Sequence, residues 1–302
     1  MTKTAFVAIV GKPNVGKSSL LNKMLGQKIA IVSSKPQTTR TKIMGVLTKG
    51  ETQLVFTDTP GFHKAHNKLG EKMNEAVGDT VGGVDACLFL TEPRGELNEQ
   101  ELQLLEMFKK HILFKSKKKV IVAINKIDMI NDKEELFKRI VYLTSFYDFT
   151  AVVPVSATEG DHVDELIDEL DKLAFESPHF FPDDTLTDQP ERVLAAEIIR
   201  EKILRLMDKE IPHGIAVAVE KMRERDDKDI LDIDATIYCE RESHKGMVIG
   251  KNGSMLKKVS TYARQDLERF FQIKVNLHCW VKVKEDWRNR EGLIHNFGLD
   301  NK

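Results

Sequence analysis

The chain has 302 residues, long for one ordinary core and suited to two. It is 41% hydrophobic and 31% charged with a net charge of −1, so no bulk basicity announces a nucleic-acid partner and any such site must come from local charge. No apolar stretch approaches the roughly 20 residues a membrane helix needs. The three cysteines, Cys87, Cys239 and Cys279, are scattered without ligand spacing, which predicts free thiols in a reducing, cytosolic setting.

Residues 5–10 (AFVAIV) are an apolar run with the look of a buried strand, too short for the core of a signal peptide. Gly11-Lys12-Pro13-Asn14-Val15-Gly16-Lys17-Ser18 follows at once, and an amphipathic helix over 18–25, with Ser19 in its first turn, follows that. Further apolar runs at 53–57, 85–90, 120–124 and 152–155 alternate with helical patterns at 69–81, 98–111, 133–145 and 163–173. This alternation predicts an α/β domain with a mainly parallel sheet and helices on both faces, over residues 1–175. Residues 176–191 (ESPHFFPDDTLTDQPE) carry three prolines and five acids without periodicity and are read as a linker.

Beyond it the pattern changes. A helix is expected over 192–209, strands over 214–221 and 230–240, a helix over 254–271 and a last strand over 274–284. The second strand puts Leu231, Ile233, Ala235, Ile237 and Cys239 on one face, the mark of a sheet with one wet side. The helix places Leu256, Val259, Ala263, Leu267 and Phe270 on one stripe. With the short apolar segment 247–249, residues 192–302 make an α+β domain in the order α-β-β-α-α-β.

The chemistry lies in the loops. Gly11 and Gly16 let successive N–H groups turn inward on a phosphate at a helix N-terminus; Lys17 would reach the β- and γ-phosphates and the Ser18 hydroxyl would ligate Mg²⁺. Asn125-Lys126-Ile127-Asp128 follows the strand 120–124. The Asp128 carboxylate suits guanine, whose N1–H and 2-amino group both donate, whereas adenine offers neither donor and would leave the carboxylate unpaired. Ser156-Ala157 ends the strand 152–155 and fits a second base-side loop, with the Ala157 N–H toward guanine O6. Asp58-Thr59-Pro60-Gly61 ends the strand 53–57, so Asp58 can hold Mg²⁺ and the Gly61 N–H can sense a γ-phosphate. In the polar stretch Gln37-Thr38-Thr39-Arg40 a threonine would complete the Mg²⁺ shell, Thr39 in preference to Thr38. His63 and His66 are read as solvated surface.

In the second domain, Gly250-Lys251-Asn252-Gly253 joins 247–249 to the helix 254–271. A G-x-x-G loop between two helices lets a sugar-phosphate backbone come close, with Lys251 in the loop and Lys257 and Lys258 just beyond it, as in KH domains. Residues 241–290 hold 12 Lys/Arg against 5 Asp/Glu, while 191–240 hold 9 against 13, so a near-neutral domain presents a basic face.

The loops of the first domain, in this order, resemble the translation-factor-related GTPases of the TrmE–Era–EngA class. With a C-terminal KH domain of the bacterial type II kind, the whole chain is similar to the Era family. The resemblance implies a GTPase binding GTP/GDP with Mg²⁺, monomeric, attached through its KH domain to 16S rRNA near its 3′ end in 30S ribosomal subunit assembly. It also implies peripheral association with the inner membrane, for which the sequence offers no lipidation motif or basic amphipathic helix. Asn14 matches the position that in related GTPases helps hold a monovalent cation, K⁺, beside the phosphates, and Lys17, Asn14, Thr39 and Gly61 make up the implied catalytic set. The chain departs from Ras-type GTPases at Phe62, which stands where a water-orienting glutamine would be, so slow hydrolysis is expected. An RNA-modifying GTPase, the rival reading, would need a second catalytic constellation, and the sequence offers none. A membrane-surface signalling GTPase would need the second domain to bind protein or lipid instead.

Overall fold

The computed structural model describes residues 1–63, 65–112, 119–208 and 211–299. In the N-terminal domain the chain runs β1 (Lys3–Gly11), α1 (Lys17–Leu25), β2 (Ile43–Lys49), β3 (Thr52–Asp58), α2 (Lys68–Gly83), β4 (Ala86–Thr91) and α3 (Glu99–Ile112). It continues through β5 (Lys119–Asn125), α4 (Lys133–Thr144), β6 (Ala151–Val155), α5 (Val163–Asp171) and β7 (Phe175–Glu176). The sheet order is β2-β3-β1-β4-β5-β6, parallel throughout except for β2, which runs antiparallel to β3, and β7, which pairs antiparallel with the start of β1. Both sheet faces are buried: Ala5, Val7 and Ile9 point to the side of α1 and α5, Ala8 and Val10 to the side of α2 and α3. Near-continuous apolar strands such as β4 follow from burial on both sides.

The strand β2 is absent from the sequence reading. Its residues lack alternation because buried positions fall on both faces, Ile43 and Gly45 on one and Val46 on the other, with Gly45 placed where a Cβ would stand 2.9 Å from Leu21 on α1.

The C-terminal domain runs α6 (Glu191–Leu206), β8 (Ile215–Arg225), β9 (Lys228–Cys239), α7 (Glu242–Ile249), α8 (Ser254–Phe271), β10 (Lys274–Val283) and α9 (Glu291–Asn296). Its sheet has the order β10-β9-β8, with β9 parallel to β10 and antiparallel to β8. The helices α6, α7 and α8 lie on the face formed by Leu231, Ile233, Ala235, Ile237 and Cys239, and the predicted stripe of α8 buries Val259, Ala263 and Leu267 against it. Two points differ from the sequence reading. The segment 247–249 is the last turn of a longer helix, α7. The helix expected over 192–209 ends at Leu206, and its expected last residue, Lys209, lies outside the described residues.

The segment read as a linker has no helix, yet it is held along the sheet. Gln53 accepts from the Phe180 and Phe181 N–H groups at 2.9 and 3.0 Å and donates to the Phe181 carbonyl. The Phe180 ring meets Phe6 edge-on at 5.1 Å. Val46 N–H donates to the Leu186 carbonyl at 2.9 Å, and the Thr187 hydroxyl to the Met44 carbonyl at 2.6 Å, so the segment runs beside β2.

The two domains share a small core of their own. Leu69 and Met73 of α2 pack with Ala216, Trp287, Ile294 and Leu299 of the C-terminal domain. Trp287 is fully buried and its indole N–H donates to the Gly214 carbonyl at 2.9 Å. Trp287→Ala is expected to cost about 3–5 kcal/mol, the range for emptying a buried aromatic site. Thermal unfolding would show it as a lower midpoint, and an unchanged midpoint would mean that this core carries no stability.

Candidate functional site

The loops following β1, β3, β5 and β6 converge at the carboxyl ends of their strands, where open α/β sheets place their ligands. They enclose a cavity of about 340 Å³ lined by Pro13, Asn14, Gly16, Lys17, Ser18, Ser19, Gly61, Asn125, Lys126, Ala157 and Thr158. A segment that the sequence reading left without pattern closes it: Ile31–Ser34 and Gln37–Thr39 form the remaining wall.

The phosphate loop is a turn built on steric necessity. Gly16 has φ +102°, and a Cβ there would lie 2.2 Å from the Asn125 side chain. Gly61 has the same constraint from the other side, its would-be Cβ standing 2.8 Å from Pro13 Cα. Lys17 is buried, and its ammonium is aimed into the loop by the Gly11 and Lys12 carbonyls at 3.1 and 3.0 Å. Burial pushes its pKa down to about 8, partly offset by Asp58. Val15 gives only its backbone to the loop, since its side chain sits in the core.

Three predicted Mg²⁺ ligands, far apart in sequence, meet here. Ser18 Oγ donates to Asp58 Oδ2 at 2.6 Å and lies 2.9 Å from Thr39 Oγ1. Thr39 is buried, whereas the Thr38 hydroxyl turns away to Ser33 and the Lys35 carbonyl. Burial raises the Asp58 carboxyl to about 6 against the pull of Lys17 and the two hydroxyls. Its second oxygen, Oδ1, is buried with no hydrogen-bond partner. An orphaned carboxylate oxygen beside two hydroxyls is a hard-oxygen set that fits Mg²⁺. Thr59 donates its hydroxyl to the Ile9 carbonyl at 2.8 Å and fastens the loop to β1.

At the base side, Asn125 Nδ2 donates to the Val15 carbonyl at 2.8 Å and its Oδ1 accepts the Ala157 N–H at 3.0 Å. With these two bonds the asparagine ties three loops together. Asp128 accepts from the buried Ser156 hydroxyl at 2.6 Å, which orients the carboxylate.

Phe62 is partly buried and packs on the core cluster that includes Val77 and Val81 of α2, in keeping with a residue that orients no water. One sequence reading needs correction. His63 is not solvated surface: its Nδ1 lies 2.9 Å from the Gly61 carbonyl, its Nε2 3.0 Å from Gln37, and Asn74 brackets its backbone. A carbonyl only accepts, so Nδ1 carries the proton, and burial holds the ring below its usual pKa. His63 thus joins the loop after β3 to the segment 31–40. No signal in the sequence marks it.

The wall segment 31–40 is gripped by the C-terminal domain. Buried Glu201 accepts the Val32 N–H at 3.0 Å, Arg205 donates twice to the Val32 carbonyl, and Arg200 donates to the Thr38 carbonyl. In return Arg40 is buried in the C-terminal domain, where it donates to the Ile215, Pro212 and His213 carbonyls and stands 5.6 Å over the Trp287 ring. Burial, with Arg200 close by, lowers its pKa well below the ordinary arginine value.

At the far side of the C-terminal domain, residues Lys251–Gly253 form a single 3₁₀ turn between α7 and α8. Gly250 and Gly253 have φ of +72° and +75°, and a Cβ at Gly250 would lie 2.7 Å from Met255 Cβ. Lys251 and Asn252 are exposed, as are Lys257 and Lys258, the latter 5.9 Å over the Tyr262 ring. Among the described residues, Lys251 and Lys257 form no salt bridge, while Arg264 and Arg288 pair with Glu268 and Glu240.

Family models match this arrangement in two blocks: a 50S ribosome-binding GTPase over residues 6–126 and a KH domain over residues 210–288. The GTPase Era of Clostridioides difficile (strain 630) is 48% identical over 302 residues, covering all of both chains. The chain belongs to the GTPase Era family. The GTPase Era of Clostridium tetani is 46% identical over 299 residues, 99% of each chain. Among solved structures, a substituted Aquifex aeolicus Era bound to GDP·AlF4⁻ superposes with a TM-score of 0.93 at 39% identity over 99% of both chains. An Era in complex with MgGDPNP and nucleotides 1506–1542 of 16S ribosomal RNA gives 0.93 at 38% identity, again over 99% of both. The enzyme is therefore a GTPase, with a P-loop domain on a mostly parallel sheet followed by a KH domain. No helix among the described residues is long and apolar enough to cross a membrane.

For this Era-family chain, Asp128→Asn is expected to shift preference from guanine to xanthine nucleotides, whose 2-oxo group suits an amide donor. Competition of GTP, XTP and ATP for the site would measure it. Tight ATP binding by the unsubstituted protein would contradict the assignment of Asp128 to the base.

Proposed function

We propose that this protein is a GTP-driven RNA-binding switch of small-subunit ribosome assembly. Residues 1–175 act as the nucleotide domain and 192–302 as a KH domain on 16S rRNA near its 3′ end, with 176–191 between them. The observation that carries this reading is the meeting of Ser18, Thr39 and Asp58 on one candidate metal position, with Thr39 flanked by residues engaged with the KH domain. In it, Lys17 and the turned N–H groups of the loop 11–18 hold the β- and γ-phosphates, and Ser18, Thr39 and Asp58 would hold Mg²⁺. That ion supplies charge neutralisation at the phosphates. The Gly61 N–H is assigned the role of following the γ-phosphate, in a loop packed against Pro13 of the phosphate loop. Acting as a monomer and touching the membrane peripherally are parts of this reading that rest on family resemblance alone.

Phe62 offers no group to orient water, so intrinsic hydrolysis is slow, and Asn14 is the residue placed to add K⁺ beside the phosphates. Asn14 already bridges from the phosphate loop to the Ser34 carbonyl at 2.8 Å. Hydrolysis is expected to rise when K⁺ replaces Na⁺ and to lose that dependence in Asn14→Ala. Equal rates of the unsubstituted protein in both salts would sink the cation.

RNA contact is assigned to Gly250, Lys251, Asn252 and Gly253, with Lys257 and Lys258 behind them. Lys251→Asp combined with Asn252→Asp should abolish RNA binding and leave GTP binding intact, because both side chains are exposed and Asp tolerates the left-handed φ of +52° at Asn252. Unsubstituted affinity should fall steeply with salt. Undiminished RNA binding by the acidic variant would reduce the loop to an ordinary turn.

Hydrolysis switches RNA binding only if the two nucleotide states differ in RNA affinity, and the effect is then reciprocal. The GTP form is expected to bind RNA more tightly, since α6 and Arg40 give the KH domain direct hold of the segment 31–40. Titrations with GDP and a non-hydrolysable GTP analogue test this, and Arg200→Ala should shrink the difference. Superimposable curves for the unsubstituted protein would mean two independent modules.

A further inference from the structure

Glu92 stands outside every nucleotide motif of the sequence. It follows the last residue of β4, and β4 lies between β1 and β5 in the sheet. The carboxylate therefore sits between the loop that leaves β1, which cradles phosphate, and the loop that leaves β5, which carries the base-side tetrapeptide. Each of its oxygens takes one ammonium: Lys12 Nζ lies 2.5 Å from Oε2 and Lys126 Nζ 2.5 Å from Oε1. Burial works against ionisation here, but the two lysines hold the carboxyl below its usual pKa.

We propose that Glu92 is a positioning residue that fixes the distance between the phosphate loop and the guanine loop, and so governs how long a guanine nucleotide stays bound. The two loops are already joined at the floor of the cavity, where Asn125 donates to the Val15 carbonyl. Glu92 joins them again at the rim. Two attachments define a separation and an angle, where one leaves a hinge. The rim attachment also bears on Lys126, whose φ of +70° lies in the left-handed region that a lysine avoids unless its surroundings hold it there. That backbone turn directs Asn125 inward and opens the 3₁₀ turn carrying Asp128. Without the carboxylate, two ammonium groups face each other across the rim unneutralised and the loops are pushed apart.

Glu92 touches neither metal ligand nor phosphate-facing atom, so its loss acts on residence and not on the chemical step. The inference rests on the nucleotide site proposed above, and tight GDP binding by the unsubstituted protein tests that site separately. Glu92→Gln keeps the shape but cannot accept from two ammonium groups as a carboxylate does. Stopped-flow release of a fluorescent GDP from the full-length protein should be about tenfold faster in Glu92→Gln, since affinity changes within one site appear mainly in the off-rate. The KM for GTP should rise while kcat at saturating GTP stays within about twofold, the signature of lost ground-state binding. Release from the unsubstituted protein should quicken with salt, and release from the variant should not. The Glu92→Gln effect should shrink in a Lys12→Met background, as expected for coupled partners. Glu92→Asp, too short to reach both lysines, should repeat the pattern if Glu92→Gln folds poorly. A release rate within about twofold of the unsubstituted protein, or a fall in kcat together with thermal stability, would overturn the clamp and leave Glu92 a surface ion pair or a structural residue.

Discussion

The structure turns on an exchange of arginines across the domain boundary. Arg40, one residue beyond the candidate metal ligand Thr39, is spent on carbonyls of the KH domain. Arg200 of α6 is spent on the Thr38 carbonyl, one residue before it. Thr39 is therefore held from both sides by bonds to a domain that has no part in nucleotide chemistry. Each guanidinium is almost wholly buried, and a buried charge is tolerated only while its partners stay in place. A shift of Thr39 toward or away from the phosphates must either carry the KH domain along or break bonds that are costly to leave unmade. That constraint makes one mechanical unit of two sheets that share no strand.

Loss of these bonds is not the only coupling. The core of Leu69, Met73, Trp287 and Ile294 binds α2 to the last elements of the chain, so the segment around His63 and the segment around Thr39 each have their own hold on the KH domain. His63 ties the two segments to each other through Gln37. A bistable arrangement needs this closed set of contacts, because a single tether lets a loop move alone.

The sequence was most legible where function imposes backbone geometry. Gly16 and Gly61 are visible because no side chain fits, and the acid of Asp58-Thr59-Pro60-Gly61 is visible because it ends an apolar run. The five main strands and the helices between them follow from burial on both faces, and the alternation in 230–240 follows from burial on one. What escaped depends on partners distant in the chain. Glu92 meets Lys12 and Lys126, Arg40 meets carbonyls some 170 residues away, and His63 meets Gln37; none of these pairings leaves a local pattern. The strand β2 escapes because it buries residues on both faces, which removes the alternation that would mark it.

The proline-rich segment between the domains has a further bearing on solubility. A sheet ending in a seven-residue antiparallel strand with buried isoleucine and valine leaves a row of unpaired backbone groups, a template for another chain. Val46 N–H and the Met44 carbonyl are already occupied by Leu186 and Thr187. The connector therefore works as an edge guard, occupying backbone groups along the outer side of the strand. A flexible Gly-Ser replacement of equal reach would still join the domains, but it would uncover β2 and turn a soluble sheet into one able to add strands from its neighbours.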